Sequence, residues 1–309
     1  MKAVRIHAYG SENTLKYEDI PTPEIAPDDV LVKVKAASVN PVDWKIQAGY
    51  LQTILPHQLP LTLGWDVSGV VEAIGPEVSD FQIGDEVYSR PNIARNGTFA
   101  EFVAIKGSEL AKKPRKMDHL HAAGIPLAGL TAYQALFQIS NLKAGQKVLI
   151  HAAAGGVGSL AVQMAKIVGA HVIGTASEKN KAFLLELGVD TFIDYRNENF
   201  EEIVSDVDVV FDTVGGETQD KSWQTMKEGG VLVSVVSPPS PDKAKKYNVK
   251  GEFLFIEPDA AQLTQIAQWI DEEKIHNHIE KIFPLDQVDQ AFALSQSGRV
   301  RGKIIIQVN

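Results

Sequence analysis

The 309-residue sequence contains no cysteine. That absence excludes disulfides, thiolate-bound metals and a cysteine nucleophile. Basic residues are in the minority, 30 Lys and Arg against 39 Asp and Glu, giving a formal net charge of -9. An acidic surplus argues against nucleic acid as the main partner, and no basic, aromatic-interleaved stretch offers an RNA surface. No apolar run approaches the roughly 20 residues that span a bilayer. Met1–His7 show no signal-peptide apolar core, so a cytoplasmic location is the expectation. Solenoid repeats and low-complexity tracts are missing as well. What remains is the composition of an ordinary globular chain, 44% hydrophobic and 22% charged, long enough for two domains.

The most informative stretch is Val148-Leu149-Ile150-His151-Ala152-Ala153-Ala154-Gly155-Gly156-Val157-Gly158. Three strand-favouring residues enter a turn of small residues. Beyond it, Val157, Leu160, Ala161, Met164, Ala165 and Val168 recur at the spacing of one helix face. Strand, small-residue turn and helix together form a pyrophosphate site. Small side chains let the backbone approach the phosphates, and a helix N-terminus offers free N–H groups and a positive dipole end. The dinucleotide pattern G-x-G-x-x-G is met by Gly155 and Gly158, with Ala153 replacing the first glycine.

The chain before this turn is β-rich. Val30, Val32 and Val34 alternate with Leu31 and Lys33, and further strands are expected over 67–74, 86–88 and 97–103. Gly and Pro signals between them suggest a small, strongly bent barrel. From about His119 the texture changes to alternating strands and helices, with strands at 172–175, 192–193, 207–211, 231–236 and 253–256. Helices are expected at 179–187, 217–226 and 259–270. Such alternation implies an α/β fold with a doubly wound parallel sheet. The tail breaks the pattern and is expected to return to the first domain. The nucleotide domain, 121–274, would then be inserted in a β-rich domain of residues 1–120 plus 275–309.

The residue closing the second strand of a dinucleotide fold reads the adenosine ribose, and NAD sites place Asp or Glu there. Here that strand ends at Ala176-Ser177, with Lys179 and Lys181 close behind. A 2′-phosphate carries about -1.5 to -2 charges. A carboxylate ~4 Å away would repel it by ~4 kcal/mol per unit charge at an effective dielectric near 20. Ala176 avoids that repulsion, Ser177 can donate a hydrogen bond and a lysine supplies charge, while Glu178 is expected to point outward. NADPH is therefore expected over NADH.

Asn40-Pro41-Val42-Asp43-Trp44, Gly64-Trp65-Asp66-Val67-Ser68-Gly69, Gly129-Leu130-Thr131-Ala132-Tyr133 and the turn itself resemble the zinc-independent quinone oxidoreductases. These form the zeta-crystallin-like branch of the medium-chain dehydrogenase/reductase superfamily. The resemblance runs from Met1 through Gly302-Lys303-Ile304. It implies a GroES-like catalytic domain, a Rossmann domain, an active-site cleft between them and a homodimer formed through Rossmann edge strands. Zinc-dependent members place two cysteines and a histidine where this chain has Asn40, Leu127 and Trp65. His57 and the pairs His119/His121 and His276/His278 lack convincing site spacing, so no metal is expected.

The resemblance also places Asn40 and Thr131 near the nicotinamide, with Ala153, Gly155, Gly156 and Val157 at the pyrophosphate. It puts Ser177, Lys181 and Tyr195 around the 2′-phosphate, Val235 and Val236 along the cofactor, and Lys303 closing over it. Trp65 is the candidate for the substrate pocket, and Tyr50 for substrate contact or proton donation. Without a Lewis acid to lower an alcohol's pKa, the expected reaction is hydride transfer from NADPH to an acceptor already electrophilic. A quinone or an α,β-unsaturated carbonyl, a small hydrophobic substrate, meets that condition. The alternatives are an enoyl-thioester reductase of the same superfamily and a non-catalytic NADPH-binding regulatory or structural protein. Neither a nucleic acid nor a membrane is an expected partner.

Overall fold

A computed structural model describes residues 1–10 and 14–308; residues 11–13 and Asn309, inside the ranges expected for the first domain, lie outside the described residues. The chain forms two compact units. One comprises Met1–Leu127, Glu257–Glu273 and Asn277–Asn309, the other Ala128–Ile256 and Lys274–His276. No described helix is long and apolar enough to cross a membrane.

The first unit is organised around the long strand Asp29–Val39. Its alternating valines are buried while Lys33 and Lys35 face out, as period-2 patterning requires. Its length lets it pair antiparallel with Val67–Ile74 along one edge and with Phe102–Lys106 and then Lys303–Gln307 along the other. Glu86–Ser89, Leu110–Lys112 and Ile279–Pro284 complete a seven-stranded sheet, and Lys2–Ile6 centres a separate three-stranded one. Gly69 is required where Val67–Ile74 meets the central strand, because a Cβ there would stand 2.3 Å from the Lys33 carbonyl oxygen. Val4, Ile6, Val32, Leu63, Trp65, Phe99 and Phe292 are among the buried side chains of the core.

The second unit holds six parallel strands: Lys147–Ile150, His171–Ala176, Thr191–Asp194, Val207–Asp212, Met226–Ser234 and Lys250–Phe253. Numbered along the chain, they lie in the order 3-2-1-4-5-6, the doubly wound Rossmann arrangement. The order reverses beside the first strand, and that is where the small-residue turn leaves the sheet. The Val207–Asp212 strand is buried along its whole length, as a central parallel strand must be.

Two expectations need correction. The helix Ala260–Asp271, read as a cover of the parallel sheet, belongs to the first unit. Its buried face of Leu263, Ile266 and Ile270 is held there by the Tyr88 hydroxyl, which donates to the Leu263 carbonyl at 2.5 Å, and by Arg115 on Asp271 at 3.1 Å. The helix expected over 217–226 stops at Ser222; a single 3-10 turn, Trp223–Thr225, leads directly into the fifth strand.

Candidate functional site

In the second unit the phosphate turn is built by backbone conformation. Ala152 adopts a left-handed φ of 47°. Ala153 donates its N–H to the Thr175 carbonyl at 2.9 Å, tying the turn to the second strand. Ala153 is completely buried, and Gly174 on that strand leaves it room, since a Cβ there would lie 3.1 Å from the Ala153 methyl. Gly155 caps the twelve-residue helix Gly156–Ile167 without any side-chain hydrogen bond. The first-turn N–H groups are therefore left for an anion. At Gly158 a Cβ would come within 2.5 Å of the Ala152 carbonyl oxygen, so only glycine lets the helix approach the turn this closely. The cradle fits a dinucleotide pyrophosphate.

His151, directly before the turn, is buried beneath it, its Nδ1 3.2 Å from Thr175 Oγ1 and its ring edge-on to Phe200 at 4.7 Å. Burial pushes its pKa down to about 4, so the ring is neutral at physiological pH. Asp212, closing the fourth strand, accepts from Val214 N, Gly215 N, Gln219 Nε2 and Ser234 Oγ at 2.8–3.0 Å. Four donors satisfy this buried carboxylate and set the loops that leave the fourth and fifth strands. Val235 N donates to the Asp212 carbonyl at 3.1 Å, and Val236 next to it is exposed. Thr131 is buried in the helix Pro126–Tyr133.

At the end of the second strand, Ser177 is buried and its hydroxyl accepts from Asn180 Nδ2 at 3.3 Å, leaving its own proton to donate. Tyr195 N donates to the Ala176 carbonyl at 3.3 Å, which brings Tyr195 beside Ser177 across the sheet. The Tyr195 ring is exposed, and Arg196 stands over it, guanidinium carbon to ring centre 5.7 Å. Lys181 is exposed, with its ammonium 3.5 Å from Glu178 and 5.5 Å from the Phe192 ring centre. Glu178 is exposed, as expected. Arg196 escaped the reading of the sequence, although a cation directly after the third strand was a visible signal.

The first unit contains a buried polar cluster. Asn40 Nδ2 donates to Asp66 Oδ2 at 2.8 Å, and Lys303 Nζ donates to Asn40 Oδ1 at 2.5 Å. Ser38 Oγ donates to Asp66 Oδ2 at 2.6 Å, and Leu127 N to Asp66 Oδ1 at 2.6 Å. Asp43 Oδ2 accepts from Asn40 N at 2.6 Å while its Oδ1 is unpartnered and buried. Burial, with Asp66 nearby, raises the Asp43 pKa to about 8, whereas burial lowers that of Arg90. Asn40 and Lys303, expected against the cofactor, thus have their polar atoms engaged with one another and with Asp66. Tyr50 is 73% exposed. Trp65, expected in the substrate pocket, is corrected to a core residue. It has no exposed surface, its Nε1 donates to the Arg95 carbonyl at 3.3 Å and its ring lies 5.9 Å from that of His57.

Comparison with known proteins agrees with both units. Residues 26–115 match the alcohol dehydrogenase GroES-like domain, and residues 187–306 match the family described as zinc-binding dehydrogenase. Human mitochondrial NAD(P)H oxidoreductase RTN4IP1 is 34% identical, over 100% of this chain and 89% of that protein. An Arabidopsis thaliana chloroplastic NADPH-dependent alkenal/one oxidoreductase is 35% identical, over 99% of this chain and 79% of that one. The solved structure of a quinone oxidoreductase from Coxiella burnetii superposes with a TM-score of 0.93 at 38% identity, covering 100% of this chain and 99% of that chain. The fold is that of a GroES-like sheet domain with a parallel-sheet Rossmann domain. The chain belongs to the medium-chain dehydrogenase/reductase superfamily, in its quinone-oxidoreductase-like branch.

The name of the second matched family implies zinc, and the side chains present do not suit it. There is no cysteine. Among the described residues no three His, Asp or Glu side chains cluster as ligands would. Asn40 and Leu127 instead direct donors at Asp66, and Trp65 Nε1 is bonded to a backbone carbonyl.

Proposed function

We propose that the chain is an NADPH-dependent reductase delivering hydride to a quinone or to the β-carbon of an α,β-unsaturated carbonyl. The observation that carries this reading is the phosphate turn, with Gly155 uncapped and Gly158 admitting no Cβ. The preference for NADPH rests on Ser177, Lys181, Tyr195 and Arg196 around the ends of the second and third strands. There a hydroxyl proton and two cations would meet the 2′-phosphate; of the two carboxylates close by, Glu178 is exposed and paired with Lys181, and Asp194 is buried and accepts from Arg196 N and Asn197 Nδ2. The names of the relatives, a quinone oxidoreductase and an alkenal/one oxidoreductase, support the acceptor class.

The nicotinamide supplies the hydride when bound; the protein binds and orients it through the turn amides, the Asp212-ordered loops and the 2′-phosphate group. An electrophilic acceptor needs no Lewis acid, which suits side chains unfit for zinc. The enolate takes its proton from solvent or from the exposed Tyr50 hydroxyl. We further propose a homodimer, supported by the edge strand Lys250–Phe253, on and beyond which Phe253 and Phe255 are 42% and 44% exposed. Steady-state oxidation of NADPH with a quinone and with a short enal tests the reading. Turnover of either acceptor supports it, and tight NADPH binding without turnover of any quinone, enal or enoyl thioester overturns it in favour of a non-catalytic role.

A further inference from the structure

We propose that Lys303 is a positioning residue, an internal cation that holds Asn40 and Asp66 in one arrangement. The backbone puts it there. Strand Lys303–Gln307 pairs with Asp29–Val39 in a register that sets Ile304 against Val39, so Lys303 enters the sheet beside Asn40. Gly302 makes the entry possible. Its φ is +66°, and a Cβ would stand 2.1 Å from the His278 carbonyl oxygen, which accepts from Lys303 N at 2.9 Å.

The ammonium has three N–H donors, and the structure gives it three acceptors: Val39 O at 3.2 Å, Asn40 Oδ1 at 2.5 Å and Asp66 Oδ2 at 3.3 Å. The lysine side chain is 4% exposed and that of Asp66 is completely buried. A charge of either sign left alone at that depth would be strongly destabilising, so each is the condition for the other. The pairing also decides which way the Asn40 amide faces: oxygen to the ammonium, nitrogen to the carboxylate. The other oxygen of Asp66, Oδ1, accepts from Leu127 N at 2.6 Å. The other titratable groups acting on the cluster are Asp43 and Arg90, both buried, with Glu257 and Glu109 acting on Arg90.

That this ordering affects turnover rests on the proposed function; the ion pairing does not. The chain's lack of cysteine permits a direct test. In Lys303→Cys the single thiol, alkylated in denaturant and refolded, gains an ammonium at lysine length from 2-bromoethylamine, or an uncharged chain of similar length from 1-bromopropane. The parent protein is carried through the same steps. The aminoethylated protein is expected to regain the melting temperature and the kcat for NADPH oxidation, whereas the propylated protein stays at least about tenfold lower in kcat or does not refold. Equal recovery with both reagents overturns the proposal, as does failure of the aminoethylated protein to recover while the parent refolds. Separately, Lys303→Met is expected to be less stable than Lys303→Met combined with Asp66→Asn, and additive effects would overturn the pairing. If the parent turns over no acceptor yet the melting temperatures follow this pattern, the activity reading fails and the internal cation stands.

Discussion

His151 Nε2 lies 2.8 Å from Ser222 Oγ, and the Ser222 hydroxyl is itself 2.7 Å from the Thr218 carbonyl. The serine proton is committed to that carbonyl, so the imidazole donates through Nε2 and accepts through Nδ1 from Thr175. One neutral tautomer thus joins the end of the first strand, the second strand and the helix Gly216–Ser222 beneath the phosphate turn. Because the folded pKa of about 4 lies below the ordinary value, folding favours the neutral ring. That stabilisation is complete above about pH 6.5 and is lost as pH falls towards 4. Denaturant unfolding between pH 4 and 7 should show this decline, and His151→Asn should flatten it. A parent curve as flat as the variant's would exclude this role.

Asp43 has the opposite behaviour. Its raised pKa, about 8, means folding favours the protonated acid, so its contribution is full below the unfolded value of 3.8 and lost as pH rises through 8. Asn at this position imitates the protonated form. Asp43→Asn is expected to leave stability unchanged near pH 4 and to raise it at pH 8 by ~1 kcal/mol or more. Melting curves at the two pH values check the sign.

Gly158→Ala pushes a methyl against the Ala152 carbonyl, and neither backbone can yield without altering the turn. The expected cost is ~1–3 kcal/mol of stability with a larger loss in NADPH affinity. Calorimetric titration of a variant that still melts cooperatively separates the two effects.

Arg196→Ala and Lys181→Ala each remove a cation from the ends of the strands that flank Ser177. Each should weaken NADPH by ~10-fold while leaving NADH within about twofold, as expected of a charge-assisted bond worth ~1.5–3 kcal/mol. Equal dissociation constants for the two cofactors in the parent protein would remove the basis of this prediction.

Local chemistry made much of this legible. The strand, small-residue turn and helix at 148–168 could be read because each depends on neighbours in sequence: Ile150 before the turn, Gly158 within it, Leu160 and Met164 on one helix face. Partners brought together by register were not. The sequence pattern marked a helix at 259–270 but could not say that Tyr88, 175 positions from Leu263, would receive it. The same applies to Lys303 and Asn40, separated by 263 positions and joined only because one strand pairs with another. Trp65 was misjudged because an aromatic residue beside functional side chains looks the same in sequence whether its ring faces a ligand or the core.

The strand Lys303–Gln307 pairs with Asp29–Val39, nearly the whole sequence apart. During synthesis the six parallel strands are complete once residue 253 has emerged, so the nucleotide unit can mature while its partner still exposes an unpaired sheet edge. That edge must wait some fifty residues longer for its closing strand. An unpaired edge of this kind favours aggregation, and a shortened product lacking the final strand would carry a finished phosphate cradle and a sheet that cannot close.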